Sequence, residues 1–512
     1  MKKGLLSIIL IPFLFIYALP AGAADPNDRK WQDESVYFLM VDRYSNGNTD
    51  NDYHVDSLDP DAFHGGDFEG VIGKLDYIKD MGFTAIWLSP IFDNADKGYH
   101  GYWVNDFRST EEHFGTLDEF KTLVDQAHNK GIKIILDFPV THISDTHPWV
   151  TDESKKDWIL SEKETEADGP EPFDSSWLNG LPKVNLDHKE AGDYFIETAK
   201  WWVTKTDIDG LVIDEVNKTP NSFSSELSKE VKGLKDSFYL LGEIQTTDAE
   251  TIAQSQGNGM DGFIDYPLAK VLRPSFSEVD QPLTQLIDAK EKNMKLYSDP
   301  YLMGTLMDDH KTFRYTRDSI TKNQHPGPRW KLALTYLYTT PGIPIVYYGS
   351  EIALDGGFGT DNHRQMDFRT DKELVDYITS LGELRNNFPS LTRGQMEILG
   401  EKENLIIYKR TYENQTAVIV INNSSESQNI AIDADKLAKD KEIRGLLSDD
   451  LVKEENGQYQ LFLDREEAEI YLLAEKSGLN IPYVIVSILI YGAFIGFIFY
   501  LWKRSKKQRA NE

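Results

Sequence analysis

No cysteine occurs anywhere in this chain of 512 residues. Disulfides, thiolate metal sites and a cysteine nucleophile are thereby excluded, and any metal must be held by oxygen or imidazole. Positive charge is also scarce, with 54 Lys and Arg against 84 Asp and Glu and a formal net charge of -30. That excess repels phosphate backbones and anionic lipid, so it argues against nucleic acid as a partner and for a neutral, polar ligand. Internal repeats and low-complexity tracts are lacking as well. What the chain does have is 40% hydrophobic and 12% aromatic residues, enough to bury a large core in two or three domains.

Both ends carry membrane signals of different kinds. Met1-Lys2-Lys3 precedes an apolar run from Leu5 to Leu19 and then Ala21-Gly22-Ala23, which predicts a secretory signal peptide over residues 1–23. Ile481 to Trp502 is apolar and uncharged, long enough to cross a bilayer as a helix of about 20 residues. The basic residues 503–512 that follow should stay on the cytoplasmic side. The expectation is a single-pass protein of the cell membrane whose globular part is extracellular.

Between these ends, apolar strand-like runs alternate with amphipathic helical stretches. The runs are Val36 to Leu39, Thr84 to Leu88, Lys133 to Asp137, Ile208 to Val216, Phe238 to Glu243, Gly262 to Asp265, Leu302 to Leu306 and Ile343 to Tyr347. Helical patterns fall around Gly70 to Met81, Leu117 to Asn129, Asp193 to Val203 and Ser222 to Lys235. Continuous apolar strands alternating with helices imply a parallel sheet covered by helices. Eight of them in roughly 350 residues imply a (β/α)8 TIM barrel over 31–388, with its active site at the C-terminal strand ends. The polar excursion 138–187 reads as an insertion, and the short alternating stretches of 389–476 read as an all-β sandwich.

Asp137, Asp214, Glu243 and the cluster Asp308-Asp309-His310-Lys311 each follow an apolar run, so all should converge on one rim. A single such acid is ordinarily a helix cap. Several at matching strand ends suit glycoside hydrolysis, in which one carboxylate attacks the anomeric carbon and another protonates the leaving oxygen. Asp214 is the expected nucleophile. Tyr99-His100-Gly101-Tyr102-Trp103, Phe173 and Trp177 offer flat faces for sugar rings, while Trp87, inside a strand, is expected to pack in the core.

In order along the chain stand His64-Gly65-Gly66-Asp67-Phe68-Glu69-Gly70, Tyr99 to Trp103, Asp137-Phe138-Pro139-Val140-Thr141-His142 and Leu181-Pro182-Lys183-Val184-Asn185. The Asp214 strand, Gly242-Glu243, Gly342-Ile343-Pro344 and Gly349-Ser350-Glu351 follow. Together these motifs resemble the α-amylase family of glycoside hydrolases, from about Trp31 to about Ala474. The resemblance implies retaining cleavage of α-1,4 bonds in starch-like α-glucans, with Asp214 as nucleophile and Glu243 as general acid and base. It also implies that His100, Tyr102, His142 and His310 line the sugar subsite at the point of cleavage, and that 138–187 is domain B. Asn46, Asn48, Asn51, Asp52, Gly65 and Asp67 resemble a structural Ca²⁺ site of cyclodextrin-forming and related members, an oxygen-rich set of the kind Ca²⁺ needs.

The chain departs from that family at its centre. Val212 stands where the family has an Arg two residues before the nucleophile, and Lys311 stands where its pattern Asn-His-Asp has the third carboxylate. Thr141 replaces an Asn, and Asn217-Lys218 replaces a Lys-His pair. The family's three carboxylates and one Arg sum to minus two, whereas Asp214, Glu243 and Lys311 sum to minus one; Glu215 or Asp309 could restore the difference. Lys311 is expected to take over the Arg's task and keep Asp214 ionised. The competing expectation is that Lys311 turns away to Asp308 or Asp309, leaving a weak enzyme; the alternative function is a binding protein on an amylase scaffold that captures glucan or supports a membrane partner.

Overall fold

The computed structural model describes residues 29–160, 173–174, 176–402, 404–476 and 481–509. The signal segment 1–23 and the acidic run from Glu162 to Glu171 lie outside them. Each of the eight apolar runs forms a strand: β1 (Val36–Leu39), β2 (Ala85–Leu88), β3 (Lys133–Phe138), β4 (Gly210–Ile213), β5 (Tyr239–Gly242), β6 (Gly262–Phe263), β7 (Gly304–Thr305) and β8 (Ile343–Tyr347). They follow one another around a parallel sheet in chain order, β8 pairing back to β1 with Val36 opposite Ile345. A parallel bridge between Ile264 and Gly304 joins β6 to β7, so the barrel closes. Strands such as β1, β2, β4 and β5 are buried along their whole length, because helices cover the outside and neighbouring side chains fill the inside. Trp87 belongs to this filling, wholly buried and stacked on Phe38 at 3.9 Å.

The outer helices include α1 (Leu117–Asn129), α2 (Lys189–Thr206), α3 (Asn221–Leu234) and α4 (Tyr266–Phe276). At the start of α1, Thr116 and Glu119 satisfy each other's backbone N–H groups, a capping box that fixes the boundary. The pattern expected as one helix from Gly70 to Met81 is two, Phe68–Ile72 and Leu75–Asp80, the first capped by Gly73. Gly66 shows why the stretch from His64 to Gly70 needs glycine, since a Cβ there would lie 2.1 Å from the Val41 carbonyl oxygen.

Eight antiparallel strands form the C-terminal unit: β9 (Gln395–Lys402), β10 (Leu405–Tyr412), β11 (Gln415–Asn422), β12 (Gln428–Asp433), β13 (Lys441–Gly445), β14 (Leu451–Glu455), β15 (Gln458–Leu463) and β16 (Glu467–Glu475). Strand alternation divides β10 and β11 between two cores. Leu405, Ile407, Val418 and Val420 pack with Ile430, Tyr459 and Leu461 inside the unit, whereas Ile406, Tyr408, Ile419 and Ile421 belong to the main core with the barrel.

The last element, α5, runs from Ile481 to Arg509. It passes Trp502, where the apolar run ends, and continues through the basic residues, because neither Gly nor Pro stands there to stop it. Val486–Arg504 is long and apolar enough to cross a membrane, and none of it is buried in the protein.

Candidate active site

The barrel delivers its acids to one rim. Asp214 follows β4, Glu243 follows β5, and the turn after β7 carries Asp308 to Lys311. Their side chains meet: Lys311 Nζ donates to Asp214 Oδ1 at 2.6 Å and to Glu243 Oε2 at 2.7 Å. All three residues are at most 1% exposed. Lys311 therefore pairs with Asp214 as expected and with Glu243 as well, and the competing expectation fails for its ammonium. Asp309 instead accepts a hydrogen bond from the Lys311 backbone N–H at 2.9 Å. Val212 lies two residues before Asp214 and is wholly buried, so an apolar side chain fills the place of the missing Arg.

Burial drives the ionisation of these groups apart. It pushes the Asp214 carboxyl up, but the Lys311 charge together with hydrogen bonds from Glu243 and Lys311 outweighs it and leaves Asp214 below the usual carboxylate range. Glu243 ends well above that range, because burial raises it and Lys311 offsets this only in part while Asp214 and Asp309 repel a further negative charge. For Lys311 itself, burial opposes the ammonium, yet Asp214, Glu243 and Asp137 hold it charged. A protonated Glu243 beside an ionised Asp214 is the assignment an acid and a nucleophile require.

The residues expected at the sugar subsite surround this group. Tyr102 OH donates to Asp137 Oδ2 at 2.8 Å and lies 2.7 Å from His310 Nε2. Asp137 is pushed up to about 7, by burial first and then by Asp214. His100 and His310 are held neutral, chiefly by burial. His100 Nδ1 accepts from the Tyr102 backbone N–H, while its buried Nε2 has no partner among the described residues. His142 stands on the Asp214 side, its Nδ1 2.9 Å from Thr141 Oγ1 and 3.4 Å from Glu215 Oε2.

A roof closes over the centre. Phe173 meets the Tyr266 ring edge-on at 4.6 Å, the Asp174 N–H donates to the Lys311 carbonyl at 2.7 Å, and Trp177 lies 6.0 Å from the His310 ring. Trp177 and His100 also line a cavity of about 440 Å³ with Tyr99, Trp103 and Phe358, an aromatic enclosure suited to sugar rings. Tyr266 escaped the sequence reading. It follows Asp265, where the sixth apolar run ends, and reads as the first core residue of α4; the strand-end rule extended by one residue would have found it.

The residues expected to hold calcium divide. Asn46 Nδ2 lies 3.0 Å from both carboxylate oxygens of Asp52, and a Cβ on Gly65 would touch both side chains. Asn51 Oδ1 is buried with no partner among the described residues. Asn51 Oδ1 and the Asp52 carboxylate are the oxygen donors a hard cation takes, whereas Asn46 turns its amide nitrogen, which cannot ligate a cation, toward Asp52. Asp67 does not converge with them: its two oxygens accept from the backbone N–H groups of Gly47, Asn48 and Gly70. Asn48 Oδ1 is likewise taken by the Asp50 N–H. Among the described residues no cluster of three or more His, Asp or Glu is placed to hold a metal.

Comparison with known proteins agrees with this fold. The family described as "Alpha amylase, catalytic domain" matches residues 38–444. A beta/alpha-amylase of Paenibacillus polymyxa is 31% identical over 460 residues, which cover 86% of this chain and 38% of that protein's length. The crystal structure of an Anoxybacillus α-amylase is 51% identical with a TM-score of 0.84, covering 88% of this chain and all of the other. The α-amylase of Geobacillus thermoleovorans, solved in complex with acarbose, is 47% identical with a TM-score of 0.83 over the same shares.

Proposed function

Because the chain belongs to the α-amylase family of glycoside hydrolases, we propose that it cleaves α-1,4-glucosidic bonds of starch or related α-glucans with retention, held at the outer face of the cell membrane by α5. One observation carries the reading: Asp214 and Glu243 share a single ammonium and are also in side-chain hydrogen-bond contact with each other, while no amine, amide or hydroxyl of the described residues reaches the buried Asp214 Oδ2. The two carboxyl groups are thus no farther apart than two short hydrogen bonds laid end to end. That upper bound lies below the about 6.5–9.5 Å of inverting enzymes, on the side of the retaining ones.

In the first step the free Oδ2 attacks the anomeric carbon while Glu243 gives its proton to the departing glycosidic oxygen, leaving a covalent glycosyl ester on Asp214. In the second, Glu243 takes a proton from water, which attacks the same carbon and returns Asp214 as a carboxylate. Lys311 performs the Arg's work from the opposite side of the rim by holding Oδ1 and keeping the nucleophile ionised. Its cost is a positive charge beside a developing oxocarbenium ion, which predicts a slow enzyme. Release of reducing sugar from soluble starch, compared with Asp214→Asn and Glu243→Gln, tests the reading; no release by the unmutated protein would overturn it.

Asn51, Asp52 and the Gly65 carbonyl would hold a Ca²⁺ ion, whose contribution is to tie the loop after β1 to the rim. Added calcium should then raise the melting temperature and a chelator should lower it; an unchanged melt would remove the ion. A second reading, a glucan-binding protein on an amylase scaffold, is favoured by the complete burial of the centre beneath Phe173, Asp174 and Trp177. Retention on a starch column without sugar release would support it.

A further inference from the structure

We propose that Asp309 and Tyr266 are positioning residues that hold the proton of Glu243, so that the carboxylate lost at Lys311 is replaced behind the reacting atoms instead of among them. The inference rests on Glu243 being the general acid. The alignment that puts Lys311 at the family's third carboxylate puts Asp309 at the Asn of the same pattern, so an acid has appeared two residues before the position where one was lost. Of the two acids able to restore the charge, Glu215 is spent elsewhere: Oε1 takes Lys218 Nζ at 2.5 Å and Oε2 takes the Thr141 hydroxyl at 3.1 Å. No Lys or Arg side chain is bonded to Asp309 among the described residues. Its Oδ1 accepts the Lys311 backbone N–H, and its Oδ2 lies 2.6 Å from Tyr266 OH.

The same hydroxyl stands 3.0 Å from Glu243 Oε1. A phenol has one proton to give. The shorter contact leads to the carboxylate, so Tyr266 donates to Asp309 and its oxygen lone pair is left to accept. The group at 3.0 Å must then be the donor, which places the Glu243 proton on Oε1. Oε2 is the poorer seat, because Lys311 Nζ already donates there at 2.7 Å, and the carboxyl of Asp214 is the competing hydrogen-bond partner for the proton. The chain Glu243 to Tyr266 to Asp309 thus points one way, and it ends on an anion that is wholly buried. The groups facing Glu243 come from four elements: Asp214 after β4, Tyr266 at the start of α4, Asp309 and Lys311 after β7, and Tyr102 after β2. Of these, Lys311 alone favours the ionised form of Glu243.

Asp309→Asn keeps the shape, and Tyr266→Phe keeps the ring while cutting the link. The readout is direct titration of Glu243 in the full-length protein by carboxyl infrared difference spectroscopy, with Glu243→Gln as assignment control, run beside the pH profile of kcat/KM on soluble starch. Either substitution should move the Glu243 titration, and with it the alkaline limb of the profile, to lower pH by about one unit or more. The double variant should move it no further than the larger single shift. A titration that stays in place in both single variants would overturn the proposal, even where melting temperature falls. If titration shifts as expected but the unmutated protein releases no sugar, the hydrolase reading fails and the proton chain stands.

Discussion

Removing Lys311 is expected to cost more than its charge, because the ammonium bridges two buried carboxyl groups that bond no other Lys or Arg among the described residues. Lys311→Met should lower stability by about 3–5 kcal/mol, read as a lower denaturant midpoint. Lys311→Asp, which restores the family residue but leaves Val212 in place, should abolish starch hydrolysis; a gain of activity would instead mark the Lys as an impediment. The ionisation of Glu243 yields a second expectation. Its folded value is raised, so its contribution to stability is full below about 4.5 and is lost as pH rises through the folded value. Glu243→Gln, which does not ionise, should therefore gain on the unmutated protein in thermal melts as pH is raised from about 5 to about 8; a constant difference between the two would contradict the assignment. Asp214, with a lowered value, acts oppositely and loses its contribution as pH falls. Asp214 and Glu243 were legible in the sequence because each closes an apolar run, and Lys311 because it stands at the last position of the pattern the family writes Asn-His-Asp. Tyr266 was not, since an aromatic residue at a helix start is ordinarily core, and only its hydroxyl's two neighbours distinguish it. Likewise, no local pattern says that Asp67 spends its oxygens on the backbone of its own loop.

Among the elements, the roof formed by Phe173, Asp174 and Trp177 governs access, since with it in place the catalytic group is at most 1% exposed. Trp177→Ala should loosen it, raising kcat/KM for short maltooligosaccharides several-fold; a fall would identify Trp177 as a platform for the sugar rather than a barrier to it. The barrel strands were legible because both faces of each are covered and the sequence is apolar without interruption. Even β6 and β7, which pair over two residues each, stand out by the acid or turn that follows them. The helix expected from Gly70 to Met81 was less so. Apolar periodicity runs across Gly73 and Lys74 without a break, and the division is visible only in the capping hydrogen bonds. What the roof packs against was illegible, because Asp174 and Lys311 are brought together by tertiary structure alone.

For the whole molecule, α5 sets the expectation that the full chain sediments with membranes and resists alkaline extraction, whereas a chain ending at residue 476 stays soluble and keeps its starch activity. Recovery of the full chain in the soluble fraction would contradict it. The order of barrel, insertion and β unit followed from texture, while the shared core between barrel and β unit did not. It depends on which residues of β10 and β11 face inward, and both sets are equally apolar. That core should make the globular part melt in one calorimetric transition. The strand nearest α5 in the chain is β16, and it lies inside its sheet, bonded to β11 on one side and β13 on the other. A pull transmitted through α5 is therefore resisted in shear by two ladders loaded together, not peeled open rung by rung as at an edge strand. Were α5 anchored in a membrane as proposed, the load of a bound polymer would enter the globular part at one of its firmest points.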